Sequence, residues 1–307
     1  MFRLALIPLL ALCLAALGCT TNKATGDSHL NLLSPEQERA MGEEFAAEIR
    51  NSQPVLESGS ITRAVERVGN KLAAESEEPD LPWEFVVIDQ PTINAFALPG
   101  GKVFIYRGLL AEMTNEAQLA AVLGHEIGHV TAEHHDRRYQ SQVGVGVLVS
   151  AIGIAGGVSG SEWGQYAGVA ASAGGGLAIA KWGRDDESQS DELGLRYMTR
   201  AGYNPQGMVE LMQILDRASG GGGIEWTQTH PLPATRIDRT SRIIDREYQA
   251  DLDLPFYESR FERQVAGPIQ ELAASPQLDG NAALAQLRSG ASPHHCATCY
   301  QMSRLTP

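Results

Sequence analysis

The sequence predicts an α+β fold that is predominantly helical, with one small β-sheet. Apolar residues recur at three- and four-residue spacing along several stretches of helical length. Two stretches, 83–89 and 94–106, carry the β-branched and aromatic content of strands. A third stretch, 115–139, reads as a helix of small and apolar residues bearing two histidines four positions apart. With 307 residues, 43% hydrophobic and 20% charged, the chain has ample material for a core. A net charge of −13 and the lack of an extended basic patch argue against a nucleic-acid partner.

Residues 1–19 read as a targeting segment. Arg3 supplies a minimal positive head, an apolar stretch follows, and Ala16-Leu17-Gly18-Cys19 resembles a bacterial lipobox. That resemblance makes 1–18 a lipoprotein signal peptide and Cys19 the acylated residue; an ordinary signal peptide or anchor is the alternative. Thr20 stands where an aspartate would mark inner-membrane retention, which favours the outer membrane. Residues 19–33 then read as a polar tether. Cys13 leaves with the signal, so Cys296 and Cys299 remain. In an oxidising envelope they could form a local disulfide. Beside His294 and His295 they could instead bind a metal when reduced.

Ser34, Pro35 and Gln37 form a capping box with proline at the first helical position, starting a helix to about residue 51. Ile61, Val65, Val68 and Leu72 give a second amphipathic helix over 60–76. Two short strands within 94–106 are joined through Pro99-Gly100-Gly101, where glycine can take turn conformations closed to other residues. Such a hairpin is either structural or offers its edge to an extended peptide. In the next helix Asn115 caps with Gln118 at N3, and His134 and His135 are expected to face solvent. Residues 143–180 are rich in glycine and alanine, with Glu162 their sole formally charged residue. They read as a packed or mobile covering element, with a transmembrane hairpin as the alternative; each half is short for a span. Helices are expected over 187–201 and from Asn204-Pro205 through Leu215. Another follows Pro231-Leu232-Pro233. The main domain is thus 34–250, and 251–307 forms a C-terminal extension containing the CxxC pair.

The chemistry centres on His125-Glu126-Ile127-Gly128-His129. Positions i and i+4 share a helical face, so both imidazoles point one way, and Glu126 lies where a base could reach water beside a metal. This is the pattern a zinc hydrolase needs. A third ligand is sought in 187–192, where Glu187 and Glu192 fall on different faces of the expected helix.

Taken with that motif, NAFALPGG and its following strand, RGLL, E-x-x-S-D-E-L-G, AGYNP and THPLPATRI resemble the M48 metallopeptidases over about residues 35–245. Ser190 stands where the family usually has alanine. The resemblance implies a zincin-like domain with one zinc ion held by His125, His129 and Glu187, and Glu126 as the catalytic base. Asp191 would hold a ligand or the helix in place. His230 would either take a fourth position at the metal or assist catalysis, and Arg236 would orient a carboxylate or substrate. The function implied is a zinc-dependent endopeptidase of the bacterial envelope acting on unfolded or misassembled proteins. It would face the periplasm as an outer-membrane lipoprotein, with outer-membrane assembly machinery as a candidate partner. The alternative is a lipoprotein chaperone or scaffold with a restrained metal site. Periplasmic relatives can carry tetratricopeptide repeats, but the last 60 or so residues here show no 34-residue repeat.

Overall fold

A computed structural model describes residues 19–30, 34–57, 59–138, 182–220, 226, 229–230 and 234–274. The expectations for the signal segment, the glycine-rich segment and the CxxC pair fall outside those residues.

The fold is α+β, with a three-stranded sheet packed among helices. An N-terminal hairpin pairs β1 (Cys19–Thr21) with β2 (Ser28–Leu30) antiparallel. It lies in the stretch read as a polar tether. Buried Asn22, between its strands, donates from Nδ2 to Thr131 O at 2.8 Å. Helix α1 (Pro35–Ser52) begins at the expected capping box, with Gln37 N donating to Ser34 Oγ and Ser34 N to Gln37 Oε1. Helix α2 (Ser60–Ala73) buries the predicted Ile61, Val65, Val68 and Leu72.

The sheet comprises β3 (Glu84–Ile88), β4 (Ala95–Leu98) and β5 (Lys102–Tyr106) in the order β3-β5-β4. β5 is parallel to β3 and antiparallel to β4. Side chains alternate across it, as the period of two requires. Phe85, Val87, Ala95, Ala97, Val103 and Ile105 enter the main core, while Val86, Ile88, Leu98, Phe104 and Tyr106 form a second cluster with Ala46 of α1. Gly100 and Gly101 turn the β4–β5 connection at φ of 73° and 87°, in the left-handed region. The short helix α3 (Arg107–Ala111) leads to the central element, α4 (Glu116–Thr131), every residue of which is buried.

Helix α4 packs against α2, the sheet, α5 (Arg184–Arg200) and α6 (Gln206–Ser219). Small residues allow this. A Cβ on Gly124 would sit 3.2 Å from Gly194 O, and one on Gly194 would sit 3.0 Å from His125 N and 2.9 Å from Met208 Cε. Backbones therefore meet where side chains ordinarily separate helices. Pro205, not Asn204, is the cap residue of α6; Asn204 Oδ1 accepts from Gln206 N at 2.9 Å, and its amide donates to Leu252 O and Leu254 O. Helix α7 (Ala234–Glu247) follows, then a 3₁₀ turn (Gln249–Asp251), α8 (Glu258–Phe261), a π-helical turn (Glu262–Ala266) and α9 (Gly267–Ala274).

One expectation fails here. His134 and His135 are buried, not solvent-facing, at 1% and 3% exposure. Helix α4 stops at Thr131, and Glu133 takes a left-handed φ of 55°, so residues 134–138 start a new helical turn instead of continuing the old face. That break turns His134 back toward His129.

The close α4–α5 contact makes a prediction. Gly194→Ala adds one methyl group against backbone atoms that cannot swing away, so it should destabilise the protein by about 1–3 kcal/mol. Urea unfolding of the metal-free protein measures this, and an unchanged midpoint would contradict the contact.

Candidate metal centre

The two histidines of α4 project one turn apart toward α5, which supplies Glu187 from its first turn. His230, four residues after Trp226, closes the group. These four residues each place a ligand atom within 4.8 Å of the others, and all are buried. His125 Nε2 lies 3.1 Å from His129 Nε2 and 3.3 Å from His230 Nδ1. Glu187 Oε1 lies 3.4 Å from His129 Nε2 and 2.9 Å from His230 Nδ1.

These separations fit a metal. Zinc binds nitrogen and carboxylate oxygen at about 2.0–2.2 Å, which puts two donors of a tetrahedral site about 3.3 Å apart. Charge gives an independent test. Three buried carboxylates, Glu126, Glu187 and Asp191, stand against one buried guanidinium, that of Arg236. A divalent cation would balance that excess.

Arg236, on α7, binds Glu187 and Asp191, the two buried acidic residues of α5, together. Its Nε donates to Asp191 Oδ2 at 2.9 Å, its Nη2 to Asp191 Oδ1 at 2.7 Å, and its Nη1 to Glu187 Oε2. Asp191 Oδ1 also accepts from His125 Nδ1 at 3.0 Å. The proton of His125 therefore sits on Nδ1, and its Nε2 lone pair points into the cluster. Burial alone would raise both acids. For Glu187 the neighbouring His230 and Arg236 outweigh it and hold the carboxyl well below its usual value; for Asp191, Arg236 and the His125 hydrogen bond do the same. Glu126 differs. Burial pushes its carboxyl up, against the opposing influence of His230, His125 and the Ala97 backbone of β4. Its Oε1 and His230 Nε2 lie 3.6 Å apart, and neither has a hydrogen-bond partner among the described residues.

Every expected residue of the centre is thus in one place: His125, Glu126, His129, Glu187, Asp191, His230 and Arg236. Glu192, the competing third ligand, is exposed on the other face of α5 and pairs with Arg239. Sequence reasoning missed the aromatic walls. Trp182 stacks on His129 at a centroid distance of 4.5 Å, and Trp226 on His230 at 4.2 Å. The chain has four tryptophans, and two of them stand within five residues of Glu187 or His230. That proximity was the available signal. It also missed His134, whose Nδ1 lies 2.8 Å from His129 Nδ1. Burial pushes His134 down to about 4, and His135, which touches Trp182 edge-on, to about 3.

Two histidines one turn apart on α4 with Glu126 beside them, and a carboxylate donor from a second helix, make the donor arrangement of the HExxH zinc metallopeptidases. The chain belongs to peptidase family M48, whose model matches residues 60–244. It is 32% identical over 211 residues to the beta-barrel assembly-enhancing protease of Yersinia pestis, covering 67% of this chain and 43% of that one. The protein of the same name in Escherichia coli K12 is 32% identical over 219 residues, 69% of this chain and 45% of that one. The mitochondrial metalloendopeptidase OMA1 of Schizosaccharomyces pombe is 35% identical over 178 residues, 57% of this chain and 51% of that one. The chain therefore spans about half the length of the curated relatives it matches.

The donor geometry makes a prediction. Glu187→Ala should lose zinc far more readily than Glu192→Ala, by at least about tenfold in affinity. Metal content after equal dialysis of both variants ranks them, and the reverse order would remove Glu187 from the donor set.

Proposed function

We propose that this chain is a zinc-dependent endopeptidase of the bacterial envelope that cuts unfolded or misassembled polypeptides. The observation that carries the reading is Glu126, buried next to the donor cluster and held against the edge of the sheet. His125, His129 and Glu187 would hold a zinc ion, and the ion would supply the electrophile that acidifies water and polarises a peptide carbonyl. Glu126 Oε1 accepts the water proton and returns it to the departing amine.

The sheet order puts β4 at one of its two edges, and β4 is the edge strand that packs on α4. An extended peptide can pair along such an edge, and a folded protein cannot readily present one. That selects unfolded segments without a sequence-reading pocket. His230 fills the fourth donor position beside Glu187 and faces Glu126 through Nε2, so it restrains the resting site. The stacked Trp226 holds the ring there, and substrate entry requires it to yield.

An envelope setting is supported by the lipobox resemblance at Cys19 and by the relatives named for β-barrel assembly. No helix among the described residues is long and apolar enough to cross a membrane. A periplasm-facing outer-membrane lipoprotein, working near the machinery that assembles outer-membrane proteins, accommodates these features.

Two outcomes follow. Glu126→Gln keeps every donor and removes the base, so zinc should stay stoichiometric while kcat on an unfolded model protein falls by about 10²–10⁴. A variant that cleaves at the parent's rate, with contaminating protease excluded, would refute the mechanism. Mass spectrometry of the mature N-terminus should find a diacylated or triacylated Cys19; a free N-terminus elsewhere would reject the lipid.

A further inference from the structure

The structure gives His134 a defined task. Its Nε2 lies 2.9 Å from Gln189 Oε1, and its Nδ1 lies 2.8 Å from His129 Nδ1. The protons in this chain follow from groups whose roles are fixed. Arg137 Nη2 can only donate, and it reaches Gln189 Oε1 at 2.8 Å. The Asp27 carboxylate can only accept, and it takes Gln189 Nε2 at 3.1 Å. Gln189 is therefore anchored with its oxygen toward His134. His134 Nε2 must carry a proton to donate to that oxygen, which leaves Nδ1 of the neutral ring as an acceptor. His129 Nδ1 must then be the donor. Its Nε2 keeps the lone pair, and that atom lies 3.1 Å from His125 Nε2 and 3.4 Å from Glu187 Oε1.

We propose that His134, oriented by Gln189 and Asp27, is a positioning residue that locks His129 in the tautomer presenting Nε2 to zinc. The inference rests on the zinc reading of the site. It shows that the two helix ligands are set by different devices. His125 is oriented by an ionised carboxylate, Asp191, itself neutralised by Arg236. His129 is oriented by a neutral imidazole, which adds no charge to a pocket already rich in carboxylates. Ser190 Oγ, 3.3 Å from His134 Nδ1, is a second potential donor to the same lone pair. The first link of the relay, Asp27, lies in the turn of the N-terminal hairpin, outside the family-matched residues 60–244. The hairpin thus contributes to the metal site without touching it.

The test uses the full chain and Zn2+ alone, with affinity read by competition against a chromophoric chelator. His134→Phe, which cannot accept, should weaken Zn2+ binding about 10–100-fold. His134→Asn, whose side-chain oxygen can stand near the former Nδ1, should stay within about threefold of the parent. Ring-nitrogen NMR of the zinc-loaded parent should place the His129 proton on Nδ1 and the His134 proton on Nε2. Parent-like affinity in the phenylalanine variant would overturn the proposal, as would an equal loss in both variants. If His134→Phe does not fold, the parent's spectrum still decides: a His129 proton on Nε2, or a His134 proton on Nδ1, overturns it. A parent that binds no Zn2+ overturns the zinc reading and this inference with it, whereas a parent that binds and variants that do not differ overturn this inference alone.

Discussion

The metal centre depends on how closely α4 and α5 can approach. Two candidate donors, His125 and His129, come from one helix and Glu187 from the other, so the spacing between the helices sets the size of the donor cluster. Gly124 and Gly194 meet backbone to backbone, and a Cβ on Gly128 would sit 3.0 Å from Ser190 O. Ser190 in turn lies between Glu187 and Asp191 on the face of α5 that carries them. The small residues in these motifs therefore determine whether Glu187 comes within coordination distance of His125 and His129. The alanines and glycines that make α4 look bland in sequence set the reach of its histidines.

Close approach concentrates charge, and the protein answers with one guanidinium. Arg236 is buried and touches Glu187 and Asp191, so it limits their repulsion and fixes their orientation at the same time. Its placement leaves a negative balance that a divalent ion would complete, so metal binding and structural integrity are coupled at this point. Burial raises the Glu126 carboxyl, while that of Glu187 is held down by His230, by Arg236 and by the side-chain hydrogen bonds it makes.

Much of this was legible in the sequence because it is local. The capping box at Ser34, the four-residue spacing of α2, the alternation across β3 and the Pro-Gly-Gly turn all depend on neighbours within a few positions. HEIGH is local too, and the M48 resemblance extended it to Glu187, Asp191, His230 and Arg236. What was not legible depended on where the chain turns. Helical spacing placed His134 on a solvent face because it assumed that α4 continues. The left-handed Glu133 breaks the helix, and no glycine or proline at that position announced the break. Trp182 and Trp226 were passed over for a related reason: their contacts with His129 and His230 are made only when α5 and the His230 segment fold back on α4.

The N-terminal hairpin also bears on where such an enzyme could work. Asn22 is hydrogen-bonded to the end of the metal helix, only three residues after Cys19. Three fully extended residues span at most about 10 Å. On the reading that Cys19 carries lipid, the catalytic body has almost no leash and rides against the bilayer surface. Its search for substrate would then be two-dimensional, by diffusion within the leaflet. Chains emerging close to the membrane plane would come within its range, while equally unfolded chains deeper in the compartment would pass beyond it.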